Sequence, residues 1–331
     1  RLHETIAMNK IIFFILTGIM LFSCKTNTTQ SVEEEEELQQ ISVDPFFKLS
    51  LAQWSLNREI SEGFMSPIDF AKQAADMGFE GVEYVSSLYE PLLMGEDDTK
   101  MSLDELIDTL KHESNKYGVE NLLIMVDGEG DLSVIEEAER NTAVENHKKW
   151  VDAAAELGCH SIRVNLFGAQ EAEEWKEASI DGLTKLSTYA ASKNVNVLVE
   201  NHGGLSSNAA LLMEVMDGVN MENCGTLPDF GNFCLRREGG ARWSAPCIEE
   251  YDMYKGVKEL MPKAMAVSAK SYEFDEDGSE TKIDYKKMLQ IVKDAGYTGF
   301  IGVEFEGEAS STEGIEDTKN LLLKAAAALQ N

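Results

Sequence analysis

From Phe47 onward the chain alternates short runs of β-branched and apolar residues with longer stretches in which apolar positions recur every three or four residues. The short runs read as strands and the longer stretches as amphipathic helices. Strands are predicted over 48–54, 81–85, 121–127, 161–167, 196–202, 225–229, 264–270 and 300–306. Helical segments between them include 67–77, 103–116, 143–157, 285–295 and 315–329. Gly78, Gly118, Gly158 and Gly296 each stand where a helix should end, as a left-handed cap requires. Eight β-α units of roughly 30–40 residues imply an α/β fold, a closed (β/α)₈ barrel in one domain.

Side chains two apart on a strand share a face. In the last strand Ile301, Val303 and Phe305 form the apolar set for the helices, which turns Gly302, Glu304 and Glu306 toward the lumen. The same parity turns inward Glu83, Asp127, Arg163, Asn165, Glu200, His202, Asp229, Ser268 and Lys270. Most of these fall near the C-terminal ends of their strands, where barrels of this kind place their chemistry. Lone buried charges cost several kcal/mol or more. Arg163 and Lys270 neutralise some of the carboxylates as buried ion pairs, but Glu83, Asp127, Glu200, Asp229, Glu304 and Glu306 outnumber them. A divalent metal held by oxygen ligands would supply the remaining counter-charge.

Composition narrows the partners. The 331 residues carry a formal net charge of −30, which would repel a phosphate backbone and argues against nucleic acid. Hydrophobic residues make up 43% and charged residues 27%, enough for a sizeable core.

The N-terminus has a separate logic. Lys10 precedes an apolar run from Ile11 to Phe22 that ends in Leu21-Phe22-Ser23-Cys24, too short to span a bilayer. It resembles a bacterial lipoprotein signal, with Met8 as the start of translation and Cys24 as the lipidated residue. Residues 1–24 are thus expected to be the signal, 25–45 an acidic tether containing Glu33 to Glu37, and 46–331 the barrel. That implies a cell-envelope location, periplasmic or outer-membrane, with the membrane reached through the lipid. Cys159, Cys224, Cys234 and Cys247 form no C-x-x-C pair and read as buried free thiols. An oxidising compartment would also allow Cys234 to pair with Cys247, and the sequence leaves that open.

Four motifs carry a family likeness: Ser50-Leu-Ala-Gln-Trp54-Ser-Leu, Val199-Glu200-Asn-His202-Gly-Gly, Leu227-Pro-Asp229-Phe-Gly-Asn232 and Gly302-Val-Glu304-Phe-Glu306-Gly. In this order the chain after residue 46 resembles the xylose isomerase-like TIM barrels of the sugar phosphate isomerase/epimerase group. The resemblance implies one metal, Mn²⁺, Mg²⁺ or Zn²⁺, on Glu200, Asp229, Glu304 and the strand-seven position. That last position holds Ser268 where the family has a histidine, which should weaken zinc more than magnesium or manganese. His202 shares the inward face with Glu200 and is the one histidine of five at the top of a strand. A hydrogen-bonded histidine, a metal ligand and a substrate contact all remain open for it.

The resemblance further implies a sugar isomerase or epimerase that abstracts a proton beside a carbonyl and passes through an enediolate. Glu200 and Glu304 would serve as base and acid. Trp54, Asp127, Glu129, Arg163, Asn165, His202 and Lys270 would contact the substrate, with the Asp127-Gly-Glu129-Gly loop closing over it. No glycine-rich phosphate cradle is visible near strands seven and eight, which favours an unphosphorylated sugar or glycoside. Self-association as a homo-oligomer stays undetermined. Two rivals share the fold: a metal-assisted eliminase or hydrolase of 3-keto-glycosides, and a non-catalytic sugar-binding lipoprotein for which Ser268 would mark a lost site. An endonuclease IV-like role needs many histidines, and this chain has few.

Overall fold

The computed structural model describes residues 44–95 and 100–330. The signal segment with Cys24, and the tether except for Asp44 and Pro45, lie outside the described residues.

Eight parallel strands form the inner wall: β1 (Lys48–Ala52), β2 (Gly81–Val85), β3 (Glu120–Met125), β4 (Ser161–Val164), β5 (Asn196–Glu200), β6 (Cys224–Leu227), β9 (Val267–Ser271) and β10 (Phe300–Phe305). Two further strands, β7 (Cys234–Arg237) and β8 (Cys247–Glu250), pair antiparallel as a hairpin after β6. The wall runs in the order β6-β5-β4-β3-β2-β1-β10-β9. It closes between β6 and β9 through Met265 N–H to Thr226 O (3.0 Å), Ser268 N–H to Pro228 O (2.9 Å) and Phe230 N–H to Ser268 O (3.1 Å). All eight predicted barrel strands are present, and the (β/α)₈ class holds.

Eight longer helices follow the strands, besides short helical turns at Asn57–Ser61 and Glu90–Met94: α1 (Phe70–Asp76), α2 (Leu103–Tyr117), α3 (Glu137–Leu157), α4 (Ala172–Ala191), α5 (Ala209–Val219), α6 (Met253–Leu260), α7 (Tyr285–Asp294) and α8 (Ser311–Ala328). Their boundaries follow local chemistry. Ser102 and Glu105 form a reciprocal capping box at the start of α2. Asp252 and Asp284 accept the N–H groups of Lys255 and Lys287 at the starts of α6 and α7. The four predicted cap glycines, Gly78, Gly118, Gly158 and Gly296, all have φ between 73° and 86°.

The structure revises three expectations. Helix α3 begins at Glu137, six residues before the apolar period does, because buried Arg140 anchors the first turns. It bonds Asp181 (2.7 Å) and the Val134 and Ile135 carbonyls (2.6 and 3.0 Å). Strand ends are shorter than predicted: Trp54 lies in a 3₁₀ turn, while Asp127, Asn165, His202 and Asp229 sit just past their ladders. Cys234 and Cys247 form a disulfide, whereas Cys159 and Cys224 are the buried free thiols. The thiol reading thus holds for one pair and fails for the hairpin pair, whose ladder brings the two Cα atoms to 5.8 Å.

The apolar set Ile301, Val303 and Phe305 is buried against the helices as parity required. Gly314 lets α8 approach closely, since a Cβ there would lie 2.4 Å from the Phe305 ring. In the lumen a Cβ on Gly302 would lie 2.5 Å from Glu83 Oε1, so glycine makes room for a buried carboxylate.

Candidate active site

The barrel register brings the predicted residues together. Ser268 and Lys270 lie opposite Gly302 and Glu304 on β10, and Ser268 bridges to Asp229 on the other side. One carboxylate oxygen each of Glu200, Asp229 and Glu304 lies within 4.8 Å of the others, and all three side chains are buried. The Ser268 hydroxyl is 2.7 Å from Asp229 Oδ2 and 2.9 Å from Glu304 Oε2. With one proton it donates to one of them at a time.

Two buried cations brace this cluster. Lys270 Nζ lies 2.9 Å from Glu304 Oε1, 2.9 Å from Glu306 Oε1 and 3.8 Å from Asp229 Oδ2. Arg163 Nη1 donates to Asp127 Oδ1 (2.9 Å), and its Nε lies 2.8 Å from Glu200 Oε2 without hydrogen-bond alignment. Glu83 accepts from Ser50 Oγ (2.6 Å), while its second oxygen is buried without a partner. Buried ion pairs do close part of the barrel top, yet the lumen carboxylates still outnumber the cations.

The surplus appears in the proton affinities. Burial, reinforced by Glu304 and Asp229 and opposed by Arg163, pushes Glu200 up to about 8. Burial, with Glu304 adding to it and Lys270 opposing, raises Asp229 to about 6. Burial raises Glu83 to about 7 despite the Ser50 bond. Asp127 goes the other way: burial would raise it, but Arg163, His202 and its hydrogen bonds together lower it. Burial and the charges of Arg163 and Lys270 depress His202 to about 3, so its ring is neutral.

The donor set fits a hard divalent cation. Three buried carboxylates converge with a hydroxyl between two of them, and the charge they carry exceeds what Arg163 and Lys270 offset. Glu200, Asp229 and Glu304, with Ser268 beside them, are the residues that could hold it. His202 does not join this group: its Nδ1 is 2.7 Å from Asn165 Oδ1, which makes it the donor and leaves Nε2 open.

Above the carboxylates lies a cavity of about 820 Å³. Trp54, Asp127, Glu129, Arg163, Asn165, His202 and Glu304 line it, so most of the predicted contact residues share one space. Lys270 and Ser268 lie beneath, fully buried. Glu129 and Asp127 are already engaged, Glu129 by Trp150 Nε1 (2.7 Å) and Lys149 (2.6 Å), Asp127 by Arg163 and Asn165 (2.8 Å).

Sequence reasoning missed several residues here. Asn232 donates to Glu200 Oε1 (3.1 Å), and Asn201 clamps the Asp229 backbone through its N–H (2.8 Å) and carbonyl (3.0 Å). Asp229 Oδ1 accepts the N–H groups of Gly231 and Asn232 at 2.8 Å each, which explains the Asp229-Phe-Gly-Asn232 run as a turn that aims the carboxylate. Phe167, Arg237, Arg242, Trp243 and Tyr272 also line the cavity. The two cysteines flanking Arg242 and Trp243 were the available signal for that hairpin.

Fold and site together define a (β/α)₈ barrel with an acidic cluster at the C-terminal mouth. Residues 71–325 match the model of the xylose isomerase-like TIM barrels, and the chain belongs to that family. A segment of 66 residues is 33% identical to the C-glycoside deglycosidase alpha subunit of Arthrobacter globiformis, covering 20% of this chain and about a fifth (19%) of that relative's length. Solved structures of similar fold include D-psicose 3-epimerase with D-tagatose from Clostridium cellulolyticum H10 (TM-score 0.58, 14% identity, 86% of this chain and 97% of that one). The IolI protein with a binding zinc atom is another (TM-score 0.61, 16% identity, 85% and 99%). A third is the apo 3-keto-D-glucoside 4-epimerase YcjR from E. coli (TM-score 0.61, 14% identity, 84% and 99%).

Proposed function

We propose that the protein is a divalent-metal-dependent sugar isomerase or epimerase that works by proton abstraction beside a carbonyl. The convergence of Glu200, Asp229 and Glu304 within 4.8 Å at the base of a cavity of about 820 Å³, large enough for a sugar, carries this reading. A divalent cation held by Glu200, Asp229 and Glu304 would supply Lewis acidity that makes the C–H on the carbon beside a substrate carbonyl more acidic. Glu200 or Glu304 takes that proton, and the other returns one. Return to the opposite face of the same carbon inverts it, while return to the neighbouring carbon moves the carbonyl. Arg163 and Lys270 remain charged and oppose the negative charge of the enediolate. Neutral His202, oriented by Asn165, offers Nε2 to a substrate hydroxyl. Mg²⁺ or Mn²⁺ suits the oxygen donors better than Zn²⁺, because Ser268 stands where an imidazole would favour zinc.

The test combines metal content with solvent-deuterium exchange into a panel of ketoses and keto-glycosides, for the wild type and for Glu200→Ala and Glu304→Ala. Near-stoichiometric metal and exchange, both lost in the variants, support the proposal. Sugar binding without metal or exchange would instead make the protein a non-catalytic sugar-binding lipoprotein.

A second reading is elimination or hydrolysis of a 3-keto-glycoside. It is favoured by the local likeness to a C-glycoside deglycosidase subunit and by a cavity larger than one sugar ring needs. It begins with the same enolisation, and release of a leaving group separates the two. For location, we propose a lipid on Cys24 that holds the chain at the cell envelope. Incorporation of a labelled fatty acid, lost in Cys24→Ala, checks this.

A further inference from the structure

We propose that the disulfide-closed hairpin β7–β8 builds a second subsite, which stacks a flat ring attached to the sugar. This rests on the reading that a sugar occupies the carboxylate floor, and it assigns the substrate class as two-ring glycosides. The cavity of about 820 Å³ has two unlike parts. Its floor is carboxylates and their cations, whereas its side wall is aromatic and cationic.

The wall is made by the hairpin and the β4–α4 connection. The Trp243 ring meets Phe167 edge to face at 5.5 Å and lies 4.9 Å from the His202 ring. The Arg242 guanidinium sits 4.3 Å over Phe167 and pairs with Asp131 at 2.7 Å. Trp243 nevertheless keeps 43% of its surface exposed at the cavity wall, where it is available to a flat partner. Arg237 lines the same space, donates to Ala245 O (2.8 Å), and has no carboxylate partner among the described residues. It is therefore free to receive a polar oxygen on that ring.

The hairpin is built to hold this geometry. The Cys234–Cys247 bond cross-links its two strands. Its tip turns through left-handed backbone at Gly239, Gly240 and Ser244, and for serine that conformation costs roughly 1 kcal/mol that neighbouring contacts must offset. The other large exposed hydrophobic side chains among the described residues, Phe64, Met94, Ile135 and Ile248, also lie on β-to-α connections of this face.

Aryl glycosides and disaccharides both present a stackable second ring, and binding measurements distinguish them. Isothermal titration of the purified protein would compare methyl, 4-nitrophenyl and β-linked disaccharide forms of glucose and galactose. A second ring of either kind should improve affinity tenfold or more over the methyl glycoside, and whichever binds tighter names the source. Trp243→Ala should erase that gain, so that the two-ring probes bind the variant no tighter than the methyl glycoside does. Trp243→Phe should retain most of it, and Cys234→Ser with Cys247→Ser should reduce it. Equal affinity of one- and two-ring probes for the wild type, or a Trp243→Ala variant that weakens both alike, would overturn the subsite yet leave the floor reading intact. Failure of every two-ring probe to bind a folded protein would likewise overturn the subsite, whereas the floor reading stands or falls on deuterium exchange into ketoses and keto-glycosides.

Discussion

Replacing Lys270 by methionine tests the electrostatic account of the lumen most directly. Methionine approximates the volume of the lysine stem, so packing is largely kept. What disappears is the one ammonium within 3 Å of both Glu304 and Glu306 and 3.8 Å from Asp229, in a side chain with no exposed surface. Removing one partner of a buried ion pair costs about 3–5 kcal/mol, because the charges left behind are uncompensated. At about 2 °C per kcal/mol for a chain of this size, that is a fall in Tm of about 6–10 °C. The sign with pH follows from linkage. Asp229, raised to about 6 by burial against the opposing charge of Lys270, binds its proton more tightly still without that charge, and more tightly folded than unfolded. The loss is therefore small below about pH 4 and grows as pH rises through about 6 and beyond. Urea unfolding followed by circular dichroism, in chelator and in excess Mn²⁺, reads both effects. Manganese at about 100 times its Kd should restore about 2.7 kcal/mol. A loss below about 1 kcal/mol in chelator at pH 8 would refute the claim that Lys270 holds the carboxylates together.

Ser268→His should raise zinc retained after dialysis against equal zinc and manganese by tenfold or more; unchanged metal content would show that this position does not set metal preference. His147 is buried in α3 with Nδ1 on Ala143 O (2.7 Å), and burial lowers its proton affinity. Its contribution is complete above about pH 6.5 and is lost as pH falls, since the unfolded state then binds the proton that the folded state refuses. His147→Gln should accordingly flatten the decline in thermal stability between about pH 7 and pH 5. Gly168→Ala places a Cβ 2.2 Å from the Ser133 carbonyl carbon at φ 145°, and should cost about 2 kcal/mol or more in urea unfolding. The displaced Phe167 should reduce two-ring glycoside affinity in the same variant.

Strand and helix periodicity alone determined the eight β-α units, the helix-capping glycines and the inward set from Glu83 to Glu306. Both periods are local properties of the chain: two residues for strands, 3.6 for helices. Alternation on β10 was enough to turn Glu304 and Glu306 away from the helices and Phe305 toward them. Local pattern could not say which inward carboxylates meet, since that depends on the register of strands far apart in sequence. Only the closed barrel set Ser268 between Asp229 and Glu304, gave Lys270 to Glu304 and Glu306, and tied His202 to Asn165 instead of the acidic cluster. Tertiary structure also decided the Cys234–Cys247 bond and the wall of Phe167, Arg242 and Trp243, because the hairpin lacks the barrel's periodicity. Arg242 and Trp243 meet Phe167 from more than seventy positions away, and such pairings come from packing, which no local pattern encodes.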